Sequence, residues 1–171
     1  ACGSLITPTF LMRNGLGNAS GELGKNLSVH PATGLLAVLD EKVENWKGVP
    51  QGYAIEEYDE EGLMFEGAAL PLDFSVGLMP HIGPALVELA EGFDRVASFG
   101  LMVEDTSRGR VRLVRDQPVI TYNLNDADLG RMKRGIDILA RVFLAGGARR
   151  VLLPVHGFNE IHNENDLARF R

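Results

Sequence analysis

The 171-residue chain contains one cysteine, Cys2, so it can form neither an internal disulfide bond nor a metal site built from cysteines. No hydrophobic run is as long as a membrane-spanning helix, and no secretory signal is visible, so we expect a cytoplasmic protein without a transmembrane segment. The formal net charge of -6 gives no electrostatic support for nucleic-acid binding.

The motifs of several large enzyme classes are missing as well. The sequence has no Gly-x-Ser-x-Gly nucleophile elbow and no phosphate loop of the Lys-Ser/Thr type. The run from Gly15 to Gly21 nearly forms Gly-x-Gly-x-x-Gly, but its third glycine is one position late and a predicted helix precedes it. A helix end followed by a loop is therefore favoured over a dinucleotide phosphate site.

The composition is that of an ordinary globular domain, with 45% hydrophobic and 23% charged residues. The hydrophobic pattern predicts strands over residues 34–40, 49–58, 63–70, 97–103, 110–114, 118–124 and 151–155. It predicts one helix over 84–93 and a longer one from Asn125 or Asp126 to Gly146, with an apolar face formed by Leu129, Met132, Ile136, Leu139 and Phe143. Hairpin-linked strands with two long helices predict an α+β fold, a mainly antiparallel sheet backed by helices.

Two further segments are predicted to lack regular structure. Residues 71–83 are rich in proline and glycine and are predicted to form a loop. The chain from Phe158 onward is polar and is predicted to be a frayed tail.

The first thirty-one residues carry the strongest local signals. Thr7-Pro8 predicts a helix start, because a proline at the first helical position needs no N–H partner, and Gly15 predicts its end. Gly3 lies at a predicted strand end next to Ala1 and Cys2, where its missing side chain lets a ligand approach the backbone; a plain tight turn is the alternative. Backbone N–H groups collected at such a helix N-terminus suit an anionic cofactor.

The spacing of this stretch resembles the signature of the glucose-methanol-choline family of FAD-dependent oxidoreductases. The matching residues are Gly3, Ser4, Thr7, Pro8, Leu11, Gly15, Leu16 and Gly17. Phe10 stands where an aliphatic residue is usual in the family, and Asn14 where serine is usual. A second family run, Gly-x-Asn-Leu-x-x-His-Pro, is matched by Gly24, Asn26, Leu27, His30 and Pro31. Ser28-Val29 within it resembles the long-chain alcohol oxidase and sterol oxidase branch.

The resemblance implies an architecture and a cofactor. Residues 1–31 would form the turn-helix edge of an FAD-binding domain, 32–157 a substrate-binding domain that carries the family's Ser-x-Gly-x-Val hairpin at 107–111, and 158–171 a polar tail. The residues that it places at the FAD are Gly3, Ser4, Thr7, Asn26 and His30. The chain would be an internal fragment whose partner is the remainder of its own polypeptide, because the family's catalytic histidine segment is not found in it.

Carboxylates in apolar strands are the remaining candidates for chemistry. Glu66 lies inside a predicted strand and Glu104 at the end of one. In the sterol and choline branches of the family a substrate-domain glutamate helps to orient or deprotonate the alcohol, so Glu66 is our catalytic candidate; pairing with a cross-strand cation or exposure to solvent is the alternative. The histidines show no convincing metal spacing. The basic residues between Arg108 and Arg115 are interpreted as solvated turn and strand charges rather than as a phosphate-binding patch.

These residues predict part of an FAD-dependent enzyme that transfers hydride from a small-molecule alcohol to flavin. We expect the isolated chain to have no turnover and weak or no FAD binding. The alternative is an autonomous α+β ligand-binding or interaction domain without redox activity. A non-flavin α/β enzyme has only the helix-Gly-Gly-strand unit over 139–155 in its favour.

Overall fold

A computed structural model describes residues 2–170, so Ala1 and Arg171 lie outside the described residues. The helices are α1 (Gly3–Arg13), α2 (Leu72–Val76), α3 (Pro84–Glu91), α4 (Asp126–Ala145) and α5 (Glu164–Phe170). The strands are β1 (Ala32–Val38), β2 (Ala54–Ile55), β3 (Leu63–Gly67), β4 (Val96–Val103), β5 (Arg110–Val114), β6 (Gln117–Thr121), β7 (Arg150–Leu152) and β8 (Glu160–Ile161). This is the predicted α+β fold with a mainly antiparallel sheet.

The chain divides into two compact units, and both are discontinuous in sequence. The first comprises the chain up to His30 together with Glu104–Gly130, and the second comprises Pro31–Val103 together with the chain from Arg131 onward. Helix α4 therefore begins in the first unit and continues in the second. The division into domains 1–31, 32–157 and 158–171 stays a prediction.

The first unit consists of α1, the loop after it, the β5–β6 hairpin and the first residues of α4. Strands β5 and β6 form their own two-stranded sheet, with Arg110 opposite Thr121 and Val111 opposite Ile120. Leu27 exchanges two backbone hydrogen bonds with Gly109, at 2.9 and 2.7 Å, and so ties the N-terminal loop to the hairpin.

The second unit is a six-stranded antiparallel sheet in the order β2-β3-β4-β1-β7-β8. Alternate residues of each strand point to opposite faces. On one face Leu35, Phe65 and Leu101 pack with α4 and α5 in the main core, and on the other face Leu152 and Val96 pack with α3. Helices therefore pack on both faces of the sheet.

Helix α4 lies close to the sheet at one glycine. A Cβ atom at Gly135 would come within 3.0 Å of the Leu101 side chain. The apolar face of α4 differs from the prediction in its first turn, because Leu129 is 47% exposed, whereas Met132, Ile136 and Leu139 are buried. Leu129 precedes the stretch that packs on the sheet, so its hydrophobicity has no partner there.

Helix α1 begins earlier than predicted, at Gly3 rather than at Thr7-Pro8. The positive φ of Gly3, 77°, directs the chain into the helix, and the Thr7 hydroxyl accepts a hydrogen bond from the Cys2 N–H at 2.8 Å. Pro8 lies inside the helix. The predicted strand end is not found at Cys2, and Ala1 lies outside the described residues.

Other element boundaries also differ. The predicted strand over 49–58 shortens to β2, because Pro50 offers no N–H to a ladder and the chain turns at Pro50 and Gln51. The predicted loop over 71–83 contains α2, which begins directly after Pro71. The frayed tail from Phe158 is wrong: Ile161 of β8 and Leu167 of α5 are fully buried in the main core.

Candidate functional site

The predicted cofactor residues of α1 lie at an open helix start. Gly3 is exposed, and a Cβ atom built there would meet no other atom within 4 Å. Ser4 is exposed as well, whereas Thr7 is half-buried and holds the Cys2 N–H. The backbone at Gly3 is therefore open to close approach by another group, as the family resemblance requires for FAD.

Asn26 and His30 lie on the loop that follows α1. Asn26 adopts a left-handed conformation with a φ of 58°, and its side-chain amide donates to Glu22 Oε2 at 3.1 Å. Its neighbour Gly24 is buried, and a Cβ atom there would lie 2.3 Å from the Val111 carbonyl oxygen. This loop is thus held tightly against β5. His30 is exposed at the end of the first unit.

A basic cavity of about 470 Å³ opens beside Asn26, and all of its lining belongs to the first unit. The lining residues are Lys25, Asn26, Arg108, Gly109, Arg110, Arg112, Thr121, Tyr122 and Asn123. Four of these side chains are cationic, and none of the described residues that line the cavity is acidic. Gly109 is required here, because a Cβ atom would lie 2.6 Å from the Thr121 carbonyl oxygen and 2.8 Å from the Tyr122 ring.

A buried carboxylate, Asp128, connects the hairpin to the start of α4. It accepts hydrogen bonds from the backbone N–H groups of Thr106, at 2.9 Å, and Ser107, at 2.7 Å, and from both hydroxyls. The predicted cap is also present, since the Asp128 N–H donates to the Asn125 side chain at 2.8 Å. Burial acts to raise the pKa of Asp128, but the hydrogen bonds from Ser107 and Thr106 prevail and lower it to about 2.

A second carboxylate, Asp105, binds the N-terminal loop. Its oxygens accept from the Ser28 hydroxyl at 2.8 Å, from the Val29 N–H at 3.3 Å and from the Tyr122 hydroxyl. Burial and the bond to this carboxylate raise the pKa of Tyr122 to about 12. The Tyr122 hydroxyl is therefore a fixed donor near neutral pH, and one edge of the basic cavity is rigid.

Glu66 lies in the second unit, on β3, and is half-buried. Its carboxylate accepts from the Gln51 amide at 3.2 Å. Glu66 is opposite Gly100 of β4, which is opposite Gly34 of β1. Cross-strand partners share a face of the sheet, and only backbone oxygens lie within 4 Å of a Cβ atom built at either glycine. Glu66 thus borders a strip of the sheet that carries no side chains.

The other candidates do not form a reactive cluster. Glu104 is exposed, and His156 and His162 are exposed too. His162 and His81 both contact Glu160, with nitrogen–oxygen distances of 3.0 and 2.8 Å. Within residues 2–170, no group of three or more His, Cys, Asp and Glu side chains is arranged to hold a metal ion. No helix in that range is long and apolar enough to cross a membrane.

Comparison with known proteins decides the relationship that these residues suggest. Over 158 residues the chain is 34% identical to two Mycobacterium tuberculosis proteins, each named an uncharacterized GMC-type oxidoreductase, with 92% of this chain covered. The chain is related to the GMC-type oxidoreductases. It is also 29% identical over 167 residues to a long-chain-alcohol oxidase of Arabidopsis thaliana, with 88% of this chain covered. No family model matches the chain.

The chain spans about a quarter of the length of the curated GMC-type relatives that it matches, 25% of each M. tuberculosis protein and 22% of the A. thaliana enzyme. The residues of the first unit fit the flavin nucleotide that the family resemblance implies. The open backbone at Gly3 allows close approach, and the cationic cavity next to Asn26 suits an anion.

The basic residues between Arg108 and Arg115 are interpreted from the sequence as solvated charges; Arg108, Arg110 and Arg112 are exposed, and all three line one cavity. One connection was missed from the sequence. Ser107 and Asp128 were noted only as a motif residue and a helix-start acid. Their pairing required knowing that the hairpin folds back onto the first turn of α4, which no local pattern shows.

Proposed function

We propose that this chain is part of an FAD-dependent oxidoreductase that acts on the CH–OH group of an alcohol. The relationship to GMC-type oxidoreductases supports the oxidoreductase role, and the similarity to a long-chain-alcohol oxidase supports the substrate class. The observation that carries the proposal is the agreement of this relationship with the open backbone at Gly3. Gly3, Ser4 and Thr7, with Asn26 and His30 on the following loop, are the residues that we assign to the cofactor.

When bound, the flavin supplies the redox chemistry, acceptance of a hydride from the alcohol carbon. The role of this chain is to bind and orient. The strip next to Glu66 offers flat space for an alkyl chain, because Gly34 and Gly100 place no side chain on that face. The Glu66 carboxylate, fixed by Gln51, would accept a hydrogen bond from the alcohol hydroxyl and hold its oxygen in place.

The proposal is tested with the longer polypeptide that contains this chain. The purified protein should carry a flavin, and primary alcohols of increasing chain length should reduce it without added oxidant, measured as loss of the oxidised-flavin absorbance. Glu66→Gln should slow this reduction about 10- to 100-fold, as expected for the loss of one positioned polar group. Glu56→Gln, at an exposed position, is the matched control, and its flavin should be reduced at the wild-type rate. A protein that binds no flavin, or whose flavin no alcohol reduces, would contradict the proposal.

The isolated 171-residue chain gives a second test. After incubation with FAD and desalting, it should retain little or no flavin absorbance. A stoichiometric bound flavin would show that these residues form a complete site and would overturn the expected weak binding.

An autonomous binding domain is the alternative function. Its expected signature is a sheet whose faces are covered or polar, and helices do pack on both faces of the sheet. Against it, α1 leaves Ile6 49% and Phe10 53% exposed. Exposed apolar residues on one helix favour burial by further polypeptide over an independent domain.

A further inference from the structure

The basic cavity of the first unit, which also suits the anionic part of the proposed flavin nucleotide, can bind a ligand without any redox reaction. Lys25, Arg108, Arg110 and Arg112 surround a volume of about 470 Å³, and no described acidic residue lines it. Like charges repel one another, and an anion bound between them relieves that repulsion. The lining therefore suits a ligand of negative charge.

The two strand arginines are held apart from carboxylates. Arg110 and Arg112 are exposed on the same face of β5, and within residues 2–170 neither makes an ion pair or a side-chain hydrogen bond. Residues two apart on a strand lie about 7 Å apart, so both guanidinium groups can reach one anion of moderate size. Arginine binds phosphate oxygens through two parallel N–H groups, which suits this pair to a phosphate-bearing ligand.

The other two cations are fixed at the cavity edge. Arg108 Nη1 donates to the Ser107 carbonyl oxygen at 2.7 Å, a contact that orients its guanidinium without neutralising its charge. Lys25 pairs with Glu22 at 3.1 Å, and the same glutamate accepts from Asn26. Glu22 is the nearby acid that limits the net charge, but it is not part of the lining.

The cavity is also preorganised. Gly109 brings the backbone against Thr121 and Tyr122, where a larger residue does not fit, and Tyr122 is fixed by its bond to Asp105. Polar groups already held in position bind a ligand without the cost of ordering them.

We propose that this cavity is a binding site for a phosphate-bearing anion with two or more negative charges, held chiefly by Arg110 and Arg112. The same chemistry is found in the diphosphate of a nucleotide and in free inorganic pyrophosphate. The volume accommodates a diphosphate.

Calorimetric titration of the 171-residue chain with inorganic pyrophosphate at low ionic strength tests the proposal. Binding should be measurable, should be tighter than that of monovalent chloride, and should weaken as salt is added. Arg110→Gln and Arg112→Gln should each weaken binding about tenfold, the loss of one charge-assisted contact. Arg112→Lys keeps the charge but not the two parallel N–H donors, so its affinity for pyrophosphate should lie between those of the wild type and Arg112→Gln.

Arg115→Gln is the matched control. Arg115 is an exposed arginine of the same hairpin, at its turn and outside the lining, so its variant should bind pyrophosphate like the wild type. Circular dichroism of each variant checks that the fold is kept. Absence of pyrophosphate binding, or an equal loss with Arg115→Gln and Arg112→Gln, would overturn the proposal.

Competition distinguishes the two sources of the ligand. If ADP and FAD displace pyrophosphate from the wild-type chain, and this competition is lost in Arg112→Gln, the ligand is a nucleotide diphosphate. If pyrophosphate binds and neither nucleotide competes, the cavity takes a free anion. Both outcomes support an anion site, and the alcohol oxidation test is independent of either.

Discussion

Ser107 gives both of its donors to one carboxylate oxygen: its backbone N–H, at 2.7 Å, and its hydroxyl both point to Oδ2 of Asp128. The same hydroxyl accepts a hydrogen bond from the Asn125 N–H at 2.9 Å. The start of α4 and the entry to β5 are therefore locked together by one buried charged group. Several testable consequences concern this connection and its neighbours.

Removing the Asp128 charge should destabilise the protein. Asp128→Asn keeps the size of the side chain but replaces the carboxylate, which accepts hydrogen bonds from Thr106 and Ser107, with an uncharged amide. We expect a loss of about 2–4 kcal/mol in the free energy of unfolding. Urea denaturation measures it. Asp126→Asn, in the same helical turn but exposed, should change the free energy by less than about 0.5 kcal/mol. Equal effects of the two variants would show that Asp128 has no special role.

Low pH should also destabilise the protein, because it protonates Asp128. The folded-state pKa of Asp128, about 2, lies below the ordinary value near 4, so its contribution is present in full above pH 4 and is lost as the pH falls towards 2. The free energy of unfolding should therefore decline across this window, and the decline should be shallower in Asp128→Asn. Parallel pH profiles for the two proteins would contradict the assignment.

Ionisation of Tyr122 should lower the stability of the protein at alkaline pH. Its folded-state pKa of about 12 lies above the ordinary value near 10, so the stability that it contributes is complete below pH 10 and is lost as the pH rises towards 12. Tyr122→Phe should cost about 1–2 kcal/mol at neutral pH and should flatten the alkaline decline. Ultraviolet titration of the phenolate measures the shift directly. Tyr53→Phe, at a residue that is 84% exposed, should leave both quantities unchanged.

Glycine substitutions should separate close packing from helix propensity. Gly109→Ala places a Cβ atom 2.6 Å from the Thr121 carbonyl oxygen, and we expect a loss of about 2 kcal/mol. Gly130→Ala meets no atom within 4 Å on an exposed face of α4 and should stabilise by about 0.5–1 kcal/mol. The midpoint temperature of thermal unfolding should fall for Gly109→Ala and rise for Gly130→Ala. A shift in the same direction would mean that the hairpin tolerates a side chain at residue 109.

The strand and helix patterns predicted most of this fold because they depend on local periodicity. The predicted strand over 97–103 became β4, and the hairpin partners at 110–114 and 118–124 became β5 and β6. The ends of elements were less predictable where two nearby residues can each start the same helix. Gly3 starts α1 four residues before Thr7-Pro8, because its positive φ and the Thr7 side chain provide an earlier start.

The candidate site was predictable only in part, for a physical reason. Glycine and His-Pro spacing marked the first unit, since backbone conformation is encoded locally. The basic cavity and the Asp128 contacts depend on residues distant in sequence, such as Lys25 with Arg112 and Ser107 with Asp128. The buried Leu167 shows the same limit, because one leucine in a polar segment gives no period, yet it completes the core.

The pairing of Leu27 with Gly109 has a consequence for how the protein is made. The N-terminal segment leaves the ribosome long before its hairpin partner, and residues 31–103 are synthesised in between. The entropy cost of closing this long segment must be overcome before the N-terminal loop can pair with the hairpin. We therefore expect strands β1 to β4 to pair while α1 still lacks its partner, because β7 and β8 follow the hairpin in the chain. Nascent chains stalled before residue 104 should show α1 open to proteolysis, and chains stalled well beyond residue 130 should show it protected.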